Sequence, residues 1–600
     1  MSVRTKLSDT SVIALDTAAV AARARFDSGI AGEAGSKDAL AQLESAVGEL
    51  RAIRAKPHLQ RALGAFNRDD FAGGEKWVLK ALELDERNGL AWYLLAFARE
   101  RAGDFASSLH CYESALSLLP DHAEVANDLG RLAFRLGMKE QAEKLFRHFL
   151  ARYPDSLEAA NNLACTIRDL ARQDEAIEIL RQAIATYPGS AILWNTLGSI
   201  VSEQGDFATA RIFLEEALRL EPAFPKARHN LANACLSQGD LESALTHNDA
   251  ALACPITGDE RQMMRMLRST ILISLGRIAE GWEEYEARVH PDFEDVTLYQ
   301  IDAPRWEPGD DVRGKRMLVV AEQGLGDEVL FANVLEDLVA DLGSEELLTL
   351  AVEPRLTPLF QRSFPKAEVG AHATYKIPPR SVRVMPFLED KPPPDVWSPM
   401  ASLLRQYRTS IDAFPDRERF LTADPIRITH WRKVLEGAPK GRKVGLLWKS
   451  AIISSGRHRF FSPFEAWAPV LATPGVCFVN LQYGDCSVEL EAARRDLGVE
   501  IWTPPGIDLK QDLDDVAALC CALDLVLGFS NASLNLGAAC GAPTWLISVP
   551  GAWTRLGTAD RYPWYPQARL FAPANFGAWD DVMAEIATAL RTFLSPSKAD

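Results

Sequence analysis

The 600-residue chain is short of cationic charge: 65 Lys and Arg stand against 82 Asp and Glu, a formal net charge of −17. No Lys/Arg cluster interrupts that excess, which argues against a nucleic-acid partner, because phosphate backbones are gripped by concentrated positive charge. Cysteine is sparse and odd in number, nine in all, with no Cys-x-x-Cys pair and no Cys/His array. That usage argues against a disulfide framework or a zinc module and fits a reducing compartment. No run approaches the ~18 apolar residues of a membrane helix, and no basic region followed by an apolar stretch opens the chain. A cytoplasmic protein without a membrane span is expected. Its 47% hydrophobic and 24% charged composition is ordinary for globular domains, and its length asks for several of them.

What the chain does carry is a period of 34. Pro120, Pro154, Pro188 and Pro222 mark one slot, and Gly103, Gly137, Gly205 and Gly239 another, with Ala171 in the missing place. Ala115, Ala183, Ala217 and Ala251 keep the same phase. Small residues at fixed slots let two antiparallel helices approach, and the closing proline ends the second helix because it lacks an N–H. This is the signature of tetratricopeptide (TPR) repeats, a solenoid whose concave face binds protein segments. Repeats are expected from 55 to 258 with an atypical last unit near 262–290. The boundaries drawn are an N-terminal helical segment 1–54, repeats 55–294 and a linker 295–311.

Beyond 311 the period changes. Apolar strand-like runs alternate with helical patterns at 317–321, LLTLAVE (347–353), VGLLW (444–448), CFVNLQ (477–482), LDLVLGF (523–529) and TWLISV (544–549). Such alternation predicts parallel sheets, here two doubly wound α/β halves at 312–425 and 426–600, divided by the Pro-rich stretch 378–399 and a helical bridge.

Three segments are placed to carry chemistry. AEQGLGDEVLF (321–331) turns from strand to helix, where Gly324 and Gly326 let backbone approach a ligand and Asp327 opens the helix; a plain N-terminal cap is the alternative. VGLLWKS (444–450) ends on Lys449, and the loop SGRHRFFSP (455–463) adds Arg457, His458 and Arg459. These cations could grip phosphate or simply be solvated. The segment 523–546 clusters Asn531, Ser533 and Asn535 at a helix start. DLDD (512–515) reads as a cap rather than a metal site, and RYPWYPQARLF (561–571) as cover for a sheet.

In that order, PRWEPGDDVRGKRMLVVAEQGLGDEVLFANVLEDL, VGLLWKS, FVNLQYG, the 528–546 segment and RYPWYPQARLF resemble bacterial TPR-glycosyltransferase fusions, over nearly everything from 60 to 595. The catalytic half is similar to the GT-B heptosyltransferases, and the whole most resembles alphaproteobacterial flagellin glycosyltransferases that attach nonulosonic acids such as pseudaminic acid. The resemblance implies a GT-B fold and metal-independent protein O-glycosylation that serves flagellum assembly and motility. It implies Asp327 as general base, and Gly324, Gly326, Lys449, Arg459, Gln482, Asn531, Ser533 and Asn535 as donor-binding residues. Asp128, Asn162, Thr196 and Asn230, which share one slot of successive first helices, would hold the acceptor protein, flagellin. The sugar nucleotide, CMP-linked, is a co-substrate, and no cofactor is expected. Asn535 departs from the pattern, since many relatives carry His there. Two other readings stay open: a TPR adaptor with a degenerate transferase module, and a transferase acting on a non-protein acceptor such as a lipopolysaccharide sugar.

Overall fold

The computed structural model describes residues 33–322, 324–377, 380–449, 460–573 and 577–594, and the chain divides into two compact units after Thr196.

The first unit is a stack of helical hairpins. The helix Glu33–Phe66 pairs with Phe71–Leu84, Gly89–Arg101 with Phe105–Leu118, Ala123–Arg135 with Lys139–Arg152, and Leu157–Asp169 with Gln173–Thr186. Each hairpin turns at one left-handed residue: Asp69, Gly103, Gly137 and Ala171, with φ of 60°, 81°, 79° and 60°. Glycine enters that region at no steric cost, whereas Ala171 pays for its Cβ. An aspartate follows two of these turns, and Asp70 and Asp104 accept from the N–H groups of Gly73 and Ser107, satisfying donors the helix cannot. Alanines and leucines fill the space between helices, with Ala91, Leu94, Ala98, Cys111 and Ala115 buried. The first helix runs without a break through residues 54 and 55, where the sequence reading drew a boundary.

The second unit continues the repeats with Phe207–Leu220, the pair Pro225–Ser237 and Leu241–Leu252, and the last pair Gly258–Ser274 and Ile278–Tyr285. Its turns are again left-handed at Gly205, Gly239 and Gly276. An α/β region follows. Among the described residues its strands are β1 (Thr297–Tyr299), β2 (Met317–Val320), β3 (Leu348–Val352), β4 (Glu368–Ala371), β5 (Ala373–Ile377), β6 (Arg380–Val384), β7 (Val396–Pro399), β8 (Arg442–Leu447), β9 (Val476–Asn480), β10 (Leu525–Phe529), β11 (Thr544–Ile547) and β12 (Arg569–Phe571). They form a parallel sheet β4-β3-β2-β7, a parallel sheet β12-β11-β10-β8-β9, and a small sheet β1-β6-β5 in which β5 and β6 are antiparallel.

The central strands β2 and β10 are buried along their whole length, which is why they read as continuous apolar runs. Gly528 in β10 is needed because a Cβ there would stand 2.2 Å from the Leu447 carbonyl oxygen on neighbouring β8. One expectation is corrected. The Pro-rich stretch 378–399 does not divide the halves: it contains β6 and β7, and β7 pairs with β2 inside the first sheet. As an edge strand β7 tolerates its closing Pro399, whose missing N–H would break an inner ladder. The bridge between the halves is the helix Pro425–Leu435, capped by Asp424.

Candidate functional site

The strand β2 runs directly into a buried acid. Glu322 receives the Arg288 guanidinium, Nε to Oε2 at 3.0 Å and Nη2 to Oε1 at 2.7 Å, and also the Ala401 N–H at 2.9 Å. Arg288 comes from the short 3₁₀ turn that closes the last repeat and also donates to Glu286, Ser402 and the Tyr285 carbonyl. The end of the repeat array is therefore pinned to the loop that leads into the site. Burial alone would raise the Glu286 carboxyl, but the charges of Arg288, Arg305 and Arg405 outweigh it and bring its pKa down to about 2.

After that anchor comes Gly324 and the helix Leu325–Phe331. Asp327 is half-buried and accepts the Gly324 N–H at 3.3 Å, a local cap that leaves the carboxylate beside open space. That space is a cleft of about 620 Å³ lined by Gly324, Gly326, Asp327, Arg355, Lys510 and Asn531, among others. Its far wall begins where β10 ends. Asn531 caps the helix Ala532–Ala539 by accepting the Leu534 N–H at 3.0 Å, and its amide nitrogen is buried with no hydrogen-bond partner among the described residues. Asn535 bridges the two walls: its Nδ2 donates to the Gly326 carbonyl at 3.5 Å, and its Oδ1 accepts the Tyr565 hydroxyl at 3.1 Å. A Cβ on Gly326 would stand 3.2 Å from that Asn535 nitrogen, so a side chain there would crowd this contact. Tyr562 lies buried nearby, and burial first, with the negative charge of Asp327 adding, pushes its hydroxyl up to about 12.

The site residues expected from sequence therefore separate. Gly324, Gly326, Asp327, Asn531, Ser533 and Asn535 line one cleft. Lys449 does not line it: its ammonium pairs with Glu489. Gln482 is wholly buried, its carbonyl accepting the N–H groups of Trp448 and Lys449 at 3.1 and 3.0 Å and its amide donating to Tyr483, so it braces the end of β8. Arg459, with Arg457 and His458, lies outside the described residues. Among the described residues, the cations on the cleft are Arg355 and Lys510. Arg355 is held by Glu353 at 2.7 Å and donates to the Lys510 carbonyl at 2.7 Å, while Glu353 in turn donates its N–H to buried Glu328 at 3.0 Å. The exposed Lys510 ammonium has no ion-pair partner among the described residues. Nothing in the local sequence marks these two cations, because only the packing of the halves brings them together.

The four acceptor positions all occupy the sixth residue of a first helix. Two are not available as a groove lining. Asp128 is 2% exposed and accepts the Tyr93 hydroxyl at 2.6 Å, and Thr196 is 6% exposed and donates to Asn161 at 2.6 Å. Both spend their polar atoms across a repeat boundary. Asn162 and Asn230 are half-buried, and the Asn162 amide nitrogen has no hydrogen-bond partner among the described residues.

Repeats and parallel sheets together define a TPR protein with a C-terminal α/β module compatible with a GT-B-like fold. Tetratricopeptide repeat models match residues 87–155, 127–191 and 201–254. Protein FlbA of Caulobacter vibrioides is 50% identical over 562 residues, 94% of this chain and 94% of that one, and the chain belongs to its family. Among solved structures, the TPR protein TTC0263 of Thermus thermophilus is 24% identical, covering 31% of this chain and 99% of that one at a TM-score of 0.28. A tetratricopeptide repeat protein of Parabacteroides merdae is 16% identical, covering 40% and 94% at a TM-score of 0.35.

Proposed function

We propose that the protein is a protein O-glycosyltransferase that moves a nonulosonic acid from a CMP-linked donor to a Ser or Thr hydroxyl of flagellin held by the repeats. One observation carries the reading. The carboxyl ends of β2 and β10, central strands of two separate parallel sheets, open on the same cleft, with the Asp327 carboxylate and Arg355 on one wall and a capped helix start and Lys510 on the other. Ligands of open α/β sheets bind at that end of the strands.

The chemistry follows from the placement. Asp327 takes the proton from the acceptor hydroxyl as its oxygen forms a bond to the anomeric carbon. The bond from that carbon to the phosphate oxygen breaks with its electron pair, and Lys510 and Arg355 offset the charge left on the nucleotide. A single displacement inverts the anomeric centre. Asn535 and Tyr565 hold the Gly326 peptide, and so the start of the Asp327 helix, at a fixed distance from the donor wall.

A second reading, an adaptor whose transferase module is silent, is favoured by the engagement of Lys449 with Glu489 and the burial of Gln482, which remove two expected donor contacts from the cleft. Calorimetric titration of the purified chain with CMP separates them. Binding that Lys510→Ala weakens supports the transferase, and absence of nucleotide binding supports the adaptor.

A further inference from the structure

Three of the nine cysteines gather in one place. Cys520 and Cys521 lie at the end of the helix Leu513–Ala522, and Cys540 stands just past the helix Ala532–Ala539. Both helices start beside the cleft, where Leu513 and Asn531 line it, so the thiols sit at the ends remote from it. Cys520 is fully buried and donates to the Ser533 carbonyl at 3.8 Å. Cys521 points elsewhere, because consecutive residues of a helix do not share a face. It is half-buried and donates to the Cys540 carbonyl at 3.6 Å, and the Cys540 thiol hydrogen-bonds to the Cys521 sulfur. Cys540 itself is buried.

Two exposed arginines border this pair. The Phe420 and Leu421 N–H groups both donate to the Ala539 carbonyl at 3.1 Å, which sets Arg419 against Gly541, the residue after Cys540. Arg432 comes from the helix Pro425–Leu435, and neither guanidinium has an ion-pair partner among the described residues. The hydrogen bond from the Cys540 thiol holds Cys521 below the ordinary thiol value against the opposing effect of burial, and the charges of Arg419 and Arg432 add to it. Cys540 goes the other way, raised by the same hydrogen bond and then by burial. An accessible thiol that favours its anion, touching an inaccessible one that does not, is an attacking and resolving pair.

We propose that Cys521 and Cys540 form a reversible redox site whose oxidant is a peroxide. With hydrogen peroxide, the Cys521 thiolate attacks one oxygen, the O–O bond breaks, and hydroxide leaves with the electron pair. Cys521 is then a sulfenic acid. The Cys540 thiol gives up its proton, its sulfur displaces the sulfenic hydroxyl, and that group leaves as water. Two sulfurs have lost two electrons, and one peroxide has become two waters. A small dithiol reverses the bond by exchange. The site does not depend on the transferase reading.

The test is mass mapping of the full chain, reduced, exposed to hydrogen peroxide, blocked with iodoacetamide and cut on the amino side of aspartate. That cleavage at Asp524 separates Cys520 and Cys521 from Cys540. The peptides carrying Cys521 and Cys540 are expected joined, two hydrogens lighter than their sum, and parted again by dithiothreitol. In Cys540→Ser the reaction should stop at a Cys521 sulfenic acid that dimedone captures, and in Cys521→Ser the Cys540 thiol should stay reduced. Arg419→Gln with Arg432→Gln should slow the joining severalfold, since less thiolate is present. Serine keeps nearly the size of the thiol, so unchanged far-ultraviolet circular dichroism is expected of both variants. Wild-type peptides that stay separate after peroxide overturn the proposal, as does a bond between Cys520 and Cys521 in its place. Joining at an unchanged rate without the two arginines overturns their part in it.

Discussion

Replacing Arg288 with Met tests how the repeat array is joined to the site. Both side chains of the Arg288–Glu322 pair are buried, and the guanidinium supplies two of the three hydrogen bonds that Glu322 receives. Methionine fills much of the volume and donates nothing, so Glu322 is left with the Ala401 N–H alone. An uncompensated buried charge of this kind costs about 3–5 kcal/mol. The double variant Arg288→Met with Glu322→Gln removes the stranded charge as well, and should recover a substantial part of that loss. The readout is urea unfolding followed by tryptophan fluorescence, since Trp282 and Trp306 are buried in the same core as β2. Glu322 lies five residues before Asp327, so transfer activity should fall with the single variant and partly return with the double. A loss below about 1 kcal/mol, or a double variant worse than the single one, would refute the claim that the pair is a stabilising joint.

Three further predictions rest on local physics. Ala171 holds a left-handed conformation that costs an L-residue about 1–2 kcal/mol, so Ala171→Gly should stabilise the first unit by about 0.5–1 kcal/mol after glycine's own entropy is subtracted, read as a higher urea midpoint. His229 is half-buried, and the desolvation of its ring lowers its pKa to about 4; its unfolded value is higher, so the stability it confers is full above about pH 6.5 and is lost as pH falls towards 4, a slope of about 1.4 kcal/mol per unit that His229→Asn should remove. Glu286 works in a lower window: depressed to about 2, it contributes stability present above its unfolded value near 4.3 and lost on acidification through 2, and Glu286→Gln should flatten unfolding measured across that range.

The sequence exposes those parts of the molecule that repeat or that are buried on both faces. The 34-residue period is legible because each turn needs the same left-handed residue and each interface the same small one, so chance variation at Ala171 does not hide it. Strands β3, β8, β9, β10 and β11 are legible because burial on both faces makes them continuous apolar runs. Strands β6 and β7 are hidden among prolines that an edge position tolerates. In the site, the glycines and Asp327 announce themselves by a strand-to-helix turn, and Asn531 by its cap. Arg355, Lys510 and the Arg288–Glu322 pair carry no local pattern, since their meaning lies in partners distant in sequence. Asp128 and Thr196 share a register with Asn162 and Asn230, but register alone does not say which side chain finds a partner in the next repeat.

The central claim is that Asp327 stands where a hydroxyl meets a sugar nucleotide. Intact mass spectrometry of flagellin, co-expressed with this chain in cells that make a nonulosonic acid, tests it most directly when set beside Asp327→Asn, a substitution that keeps the shape and removes the base. The account predicts flagellin heavier by whole sugar residues with the wild-type chain and unmodified with the variant. Equal modification by both chains, or none by either while flagellin co-purifies with the wild type, would contradict it.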